Sequence, residues 1–264
     1  MENNLGREHS SIAITPDLSP ENINSYINNL ELIRKNTHKV EFLIIRNKTI
    51  DKDGYQKLAK RIMESLNGKL PCILHFDNLD SFVRMNDLIS KSYGVHFTSS
   101  LLKELKKNDL LRYFEKKKIF GGSCHNEKEI SLASNLGLNY CILGPVKDKL
   151  VDKKIITKGM GWDKFSDMAK KSPIKSYAIG GLSNDDLEIA SKHYACGIAG
   201  ISMFNHSSSK SSDWIGLEIF FSSLAHSPKS MSLHFFEQKG LYSLELSMLT
   251  FFSQFGQLII ICKN

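Results

Sequence analysis

The chain has 264 residues, of which 41% are hydrophobic and 24% are charged, with a formal net charge of +7. These proportions are those of a soluble globular protein, and the length suits one large α/β domain or two small ones. The positive charge comes from clusters of lysine without interleaved aromatic residues. Such clusters indicate a solvated surface with a modest attraction for anionic substrates, and they do not argue for nucleic-acid binding.

The five cysteines show no Cys-x-x-Cys spacing, and most of them fall in or beside predicted strands. Their odd number and this placement predict reduced, buried thiols and a cytoplasmic location. Residues 1–9 are too polar for a signal peptide, and nothing before residue 228 is apolar enough to span a membrane. We therefore expect no membrane partner. The oligomeric state stays open, a homo-oligomer included.

Short apolar runs typical of strands recur along the chain, with helical patterns between them. They lie at 11–15, 40–46, 71–76, 94–98, 118–123, 140–146, 176–181 and 197–203. Strands that alternate with helices indicate a parallel sheet, and eight such repeats predict a single (β/α)8 TIM barrel. A doubly wound open sheet is the alternative, but the Gly-x-Gly-x-x-Gly turn that usually follows its first strand is missing here.

The helix boundaries follow from residues with known terminal preferences. Ser19, followed by proline and glutamate, predicts the start of the first helix. Gly68 and Gly137 each follow a run with helical spacing, and a glycine there commonly ends a helix. Asn126 and Asn184 each precede a helical run with acidic residues in its first turn, which the helix dipole favours.

Two segments interrupt the alternation. The charged stretch Lys147–Gly159 follows the sixth predicted strand, and it is expected to form either a lid over the barrel or a plain surface loop. The barrel is predicted to cover residues 10–225 and to close with a helix over 213–225. Residues 226–264 form a hydrophobic C-terminal extension whose serine and glutamine residues make a poor transmembrane helix. Its role stays open.

The last two barrel strands end in residues that suit a phosphate group. Gly180 and Gly181 follow the seventh predicted strand, and Ile201 and Ser202 end the eighth. The loops after the last two strands of such barrels commonly hold a phosphate, because glycine lets backbone N–H groups approach the anion closely. The sequence therefore predicts a phosphate cradle at these four residues.

Other polar residues stand at the carboxyl ends of the predicted strands, where the active sites of these barrels lie. Arg46 and Lys48 follow the second strand and suit a phosphate or diphosphate. His125 follows the fifth strand and is a candidate general base. His75 and His96 could join it as zinc ligands, but no close His-x-His pair or carboxylate partner supports a metal site, and His96 also suits a core position.

Five short motifs give the chain a family resemblance. In order and spacing, residues 10–225 resemble thiamine phosphate synthase and its TenI-type relatives, and within them the divergent barrel that is found fused to Nudix hydrolases. The motifs are Gly94-Val95-His96-Phe97, Gly121-Gly122-Ser123-Cys124-His125, Leu143-Gly144-Pro145-Val146, Ala178-Ile179-Gly180-Gly181 and Gly200-Ile201-Ser202. The resemblance implies a (β/α)8 fold and a reaction that joins a pyrimidine diphosphate to a thiazole phosphate with Mg²⁺.

The resemblance also implies roles for single residues. Arg46 and Lys48 match the basic pair that grips the diphosphate, and Ser123 matches the serine of the fifth-strand motif. His125 matches the histidine that TenI-type thiazole tautomerases use for proton transfer. The cradle for the thiazole phosphate falls on Gly180 or Gly181 with the backbone of Ile201 and Ser202, and Gly144 is a further substrate-binding position.

Several family positions are occupied by other residue types. The family's glutamine before the arginine is Ile44 here, and its asparagine–aspartate pair falls on His75 and Phe76, unless Asp77 substitutes. The second magnesium aspartate falls near Leu101, and the threonine and lysine of the sixth loop match only Thr157-Lys158.

Because Mg²⁺ with a diphosphate needs oxygen ligands, the cradle is better preserved than the coupling machinery. Three interpretations follow. The first is a thiamine-pathway enzyme, either a divergent synthase that needs Mg²⁺ or a tautomerase-type isomerase. The second is a non-catalytic binding or regulatory barrel, and the third is an unrelated phosphate-handling barrel enzyme. The implied ligands are small phosphorylated thiazoles or pyrimidines.

Overall fold

The computed structural model describes residues 10–36, 40–106, 110, 118–151, 154–204, 249–254 and 257–262. Eight parallel strands close into a barrel. They are β1 Ser10–Ile14, β2 Val40–Ile45, β3 Cys72–Phe76, β4 Gly94–Phe97, β5 Ile119–Cys124, β6 Tyr140–Leu143, β9 Lys175–Ile179 and β10 Gly197–Gly200. Their spatial order is β1-β2-β3-β4-β5-β6-β9-β10 and back to β1. All eight predicted strands are present, and the predicted (β/α)8 barrel is confirmed.

Helices follow the barrel strands, as the alternating pattern predicted. They are α1 Ile23–Asn36, α2 Lys52–Leu66, α3 Leu79–Arg84, α4 Asn86–Lys91, α5 Ser99–Glu104, α6 Glu127–Asn135, α7 Gly161–Lys171 and α8 Leu187–Lys192, with 3-10 turns at Asn184–Asp186 and Ser202–Phe204. Helix α1 begins at Ile23, after a turn in which the Asn22 N–H donates to the carbonyl of Ser19. The Ser19-Pro20-Glu21 sequence therefore forms the turn before the helix, and the helix itself starts later than predicted.

The predicted helix ends are mostly correct. The Asn126 side chain accepts the Glu129 N–H at the start of α6, and after α2 both Asn67 (φ 42°) and Gly68 (φ 72°) adopt left-handed backbone. The acidic first turn predicted after Asn184 is present, with Asp185 and Asp186, and the residue that caps it is Ser183. Ser183 and Asp186 form a capping box there. The Ser183 side chain accepts the Asp186 backbone N–H, and the Asp186 carboxylate accepts the Ser183 N–H.

Two apolar layers stabilise the barrel, since each parallel strand is buried on both faces. The larger layer lies between the strands and the surrounding helices. The smaller layer fills the barrel interior with Ile12, Ile14, Phe42, Ile44, Ile73, Tyr140, Ile142, Tyr177 and Ala199. The interior is therefore packed, and a ligand is left only the open end where the strands finish, called the barrel mouth below.

The charged stretch after β6 forms a small antiparallel hairpin, with β7 Lys149–Val151 and β8 Lys154–Thr157. All four residues of β8 are exposed, including Ile155 and Ile156. A strand as short and as exposed as β8 has no buried face, so it shows no hydrophobic period in the sequence. Its predicted role as a lid stays a prediction.

The chain divides into two compact units, residues 1–207 and 208–264. In the second unit the structure describes one antiparallel hairpin, β11 Leu249–Gln254 and β12 Gln257–Cys262. The helix expected over 213–225, and with it the predicted domain boundary at residue 225, lies outside the described residues. Among the helices that the structure describes, none has the length and apolar character needed to cross a membrane.

Candidate active site at the barrel mouth

The basic pair after β2 is held in place by the first loop of the barrel. The Thr15 hydroxyl accepts the Arg46 N–H (2.8 Å) and donates to the Arg46 carbonyl (2.5 Å). Asp17 accepts the Lys48 N–H at 2.8 Å and lies 3.8 Å from the Arg46 guanidinium. The Arg46 side chain is only 18% exposed, whereas Lys48 is exposed. The segment thus places two cations after β2, with the Arg46 side chain half-buried beside Asp17 and the Lys48 side chain exposed.

Two histidines stack beside this pair. His75 on β3 and His96 on β4 are partners across the sheet, with ring centroids 5.8 Å apart. Burial, and next the charge of Arg46, lower the pKa of His75 to about 4. Burial and the neighbouring His75 hold the pKa of His96 well below its ordinary value. Both rings are therefore neutral at pH 7.

The geometry does not support zinc at the three histidines. Among the described residues, no cluster of three or more His, Cys, Asp or Glu side chains could hold a metal ion. His96 uses both ring nitrogens in other contacts: Nε2 lies 2.9 Å from Ser123 Oγ, and Nδ1 lies 3.1 Å from Tyr140 Oη. The buried His96, 2% exposed, connects Ser123 at the mouth to a phenol in the barrel interior.

His125 pairs with a carboxylate on the following helix. Glu129 Oε2 accepts the His125 backbone N–H at 2.8 Å and lies 3.0 Å from the ring atom Nδ1, while Lys103 Nζ lies 3.3 Å from Glu129 Oε1. Burial opposes ionisation of Glu129, but these contacts outweigh it and lower the pKa of the carboxyl. The His125 side chain is 51% exposed, and its Nε2 makes no hydrogen bond within the described part of the chain.

This geometry selects one form of the neutral His125 ring. Because the Glu129 carboxylate can only accept, Nδ1 carries the proton and Nε2 keeps a lone pair. An imidazole oriented by a buried carboxylate, with its other nitrogen open to a ligand, is an arrangement suited to a general base.

The glycines after β6 and β9 allow two loops to pack closely. A Cβ on Gly144 would lie 2.3 Å from the Ile179 carbonyl oxygen, and one on Gly180 would lie 2.5 Å from the Pro145 Cβ. Gly181 has more room and a left-handed backbone, with φ 66°. Packing thus accounts for glycine at Gly144 and Gly180, and their substrate contacts stay a prediction.

A salt bridge between Lys147 and Asp186 connects the loops that follow β6 and β9. Lys147 Nζ donates to both carboxylate oxygens of Asp186, at 2.8 and 2.9 Å, and Asp186 completes the cap at Ser183. Because β9 and β10 are neighbours in the barrel, Gly180 and Gly181 follow one strand end while Ile201 and Ser202 follow the adjacent one. Ser202 is exposed at the start of a 3-10 turn, and Ile201 is half-buried. The four predicted cradle residues therefore lie at one side of the mouth.

The positions that the family uses for metal and diphosphate are apolar and buried. Ile44 fills the barrel interior, Phe76 packs on Phe82 with ring centroids 5.7 Å apart, and Leu101 is fully buried. Asp77 is exposed and accepts a hydrogen bond from Asn78. Thr157 and Lys158 are both exposed, on and just after β8. Of the family's metal positions only the one at Asp77 offers a carboxylate here, whereas Mg²⁺ usually binds through one or two carboxylates together with substrate phosphates and water.

The structure adds site residues that the sequence analysis missed. Glu129 stands four residues after His125 at the start of a helix, so the i, i+4 spacing could have revealed it. Tyr140 and Lys147 contact partners 44 and 39 residues away, and no local pattern predicts such contacts. No hydrogen bond or ion pair among the described residues links His125 to the cradle residues.

Comparison with known proteins agrees with this geometry. A family model described as thiamine monophosphate synthase (TMP-TENI) matches residues 18–204. The chain belongs to the thiamine monophosphate synthase/TenI family. The match begins after β1 and ends at the 3-10 turn that follows β10, so it covers the barrel from α1 to β10 and leaves out the second compact unit.

Solved structures show the same fold at low identity. Thiamine phosphate pyrophosphorylase from Pyrococcus furiosus matches with a TM-score of 0.53 and 20% identity, over 75% of this chain and 88% of that one. The native KDPGal structure gives 0.52 and 13%, over 77% and 87%, and FabK from Thermotoga maritima gives 0.53 and 10%, over 75% and 59%. No curated protein matches the chain. Identities this low show the fold alone.

Proposed function

We propose that this family member binds a phosphorylated thiazole at the barrel mouth and transfers a proton on it, as a thiazole tautomerase-type isomerase. The observation that supports this most strongly is the pairing of His125 with Glu129. Such a pair suits proton transfer, and it needs neither a diphosphate nor a metal ion. The free thiols of Cys72, Cys124, Cys141 and Cys196 fit the cytoplasmic location that we also propose.

The proposed reaction is an isomerisation balanced within the substrate. Nε2 of His125 takes a proton from a ring-adjacent carbon of the thiazole, and the electron pair of the broken C–H bond moves into the conjugated system. The imidazolium, stabilised by Glu129, then returns the proton at a second position. The phosphate at Gly181 and Ser202 holds the ring in reach of His125 throughout.

The phosphate cradle predicts a difference in affinity that calorimetry can measure. A phosphorylated thiazole should bind at least about ten-fold more tightly than the corresponding alcohol, or about 1.4 kcal/mol, because the charged phosphate accepts several N–H groups at β9 and β10 whereas the alcohol offers one neutral oxygen. Gly181→Ala, which places a side chain at φ 66°, should remove most of this difference. Equal affinity for phosphate and alcohol in the unmodified protein would remove the cradle from the proposal.

The buried apolar residues at the metal positions predict that the coupling reaction is weak or absent. Purified protein with pyrimidine diphosphate, thiazole phosphate and Mg²⁺ should form thiamine phosphate far more slowly than a relative with the full set of carboxylates, since Ile44, Phe76 and Leu101 supply no oxygen ligand. Rapid turnover that chelation abolishes would show that we have misplaced the ligands. Asp77→Asn would then be the first variant to measure.

A non-catalytic binding or regulatory barrel is the second candidate, and the same apolar substitutions favour it. A protein that kept the cradle and lost the coupling machinery could act through binding alone. The two candidates share the affinity for phosphorylated thiazole and differ in proton transfer. Binding without any isomerisation would therefore select the second candidate over the first.

A further inference from the structure

Three hydrogen-bonding groups form a chain from the barrel interior to the mouth. Tyr140 Oη lies 3.1 Å from His96 Nδ1, and His96 Nε2 lies 2.9 Å from Ser123 Oγ. Tyr140 and His96 are each 2% exposed, whereas Ser123 is half-buried at the carboxyl end of β5. The chain of contacts therefore has one buried end, and its other end opens where a ligand would bind.

The neutral His96 ring can give only one hydrogen and accept only one. Two directions of hydrogen bonding are then open: from Tyr140 through His96 to Ser123, or from Ser123 through His96 to Tyr140. The choice decides whether the Ser123 hydroxyl hydrogen is used inside the protein or is left for a ligand.

The buried tyrosine decides the direction. Burial raises the pKa of the Tyr140 phenol well above its ordinary value, so the hydroxyl keeps its hydrogen. Its one hydrogen-bond partner within the described residues is His96 Nδ1. If Nδ1 carried the ring proton, the phenol hydrogen would be buried without an acceptor, which is costly. Tyr140 must therefore donate to Nδ1, and Nε2 then donates to Ser123 Oγ.

We propose that Tyr140 and His96 are positioning residues that leave the Ser123 hydroxyl hydrogen free to donate to an anionic oxygen at the mouth. Within the described residues, Ser123 has no acceptor for this hydrogen. Arg46 follows β2, three strands from β5 around the same mouth, and adds a positive charge there that favours an anion. The inference rests on the proposed function only in taking the mouth as the ligand site.

The direction of the hydrogen bonds is tested directly by nitrogen NMR of the full-length protein with isotopically labelled histidines. At pH 7, His96 should show a protonated Nε2 and an unprotonated Nδ1. A protonated Nδ1 would overturn the proposal. This measurement needs no ligand and no variant, so it stands whether or not the protein isomerises a thiazole.

The donor role is tested with inorganic pyrophosphate as the probe. Ser123→Ala and Tyr140→Phe should each weaken binding about five-fold, the value of one hydrogen bond, and the double variant should weaken it no further than either alone. Tyr177→Phe is the matched control, because Tyr177 also lies in the barrel interior but donates to Glu41. It should leave the affinity unchanged.

Three results would contradict the donor role. They are the absence of pyrophosphate binding by the unmodified protein, full affinity in Tyr140→Phe, and losses that add in the double variant. If pyrophosphate binding behaves as expected but the unmodified protein does not isomerise the thiazole, the result counts against the proposed function and not against the donor role of Ser123.

Discussion

His125→Asn is expected to lower the rate of thiazole isomerisation about 100-fold or more, the usual range for loss of a general base. Asparagine keeps an amide near Glu129 but has no lone pair on nitrogen that can take a proton at neutral pH. The affinity for the phosphorylated thiazole should change less than about two-fold, because the cradle lies on β9 and β10 and His125 follows β5. Initial rates and calorimetry on the same preparations separate the two effects.

Two further variants show whether the pair acts as inferred. Glu129→Gln keeps the shape of the side chain but removes the charge that orients His125, so it should slow isomerisation less than His125→Asn does. His193→Asn is the control, since that ring lies just after the C-terminal end of α8 and stacks on Trp162, with ring centroids 5.3 Å apart. An unchanged rate in His125→Asn would show that another group moves the proton.

The free energy of unfolding is expected to fall as the pH decreases from about 6.5 to about 4. His75 has a pKa of about 4 in the folded protein and His96 is also held neutral, whereas both take up a proton near pH 6.5 once unfolded. The unfolded chain thus binds more protons across this window, and stability that is present above pH 6.5 is lost below it. His75 alone accounts for about 3 kcal/mol.

Urea denaturation at several pH values between 7 and 4.5 measures this loss. His75→Gln should flatten the dependence, whereas His125→Gln, which removes a half-exposed ring, should leave it nearly as steep. Paired carboxylates such as Glu129 and Asp186 have lowered pKa values and add to the loss only below about pH 4.5. Identical curves for His75→Gln and the unmodified protein would contradict the neutral state that we assign to His75 in the folded protein.

The strands and most helix ends could be predicted from the sequence because their causes are local. A parallel strand buried on both faces is a short apolar run, and Asn126 caps a helix through its own side chain. Where two capping residues are adjacent, as at Ser183 and Asn184, only the geometry decides between them. The β7–β8 hairpin escaped prediction because its exposed β8 strand has no apolar face.

The sequence predicted which residues lie at the barrel mouth, but it did not predict which residues they contact there. Residues at strand ends, such as Arg46, Ser123 and His125, are visible because the barrel brings all strand ends to one mouth. Apart from Glu129, the residues that orient them are not visible in the sequence, because contacts such as that between Tyr140 and His96 join residues that are far apart along the chain. Only the closed barrel brings such partners together.

The most direct test of the account is proton exchange on bound substrate. The unmodified protein is incubated with a phosphorylated thiazole in deuterated buffer, and the ring-adjacent proton is followed by NMR. We predict deuterium incorporation far faster than in buffer alone, and faster for the phosphate than for the alcohol. Saturable binding of the phosphorylated thiazole with no exchange above the buffer rate would contradict the account and leave a binding protein.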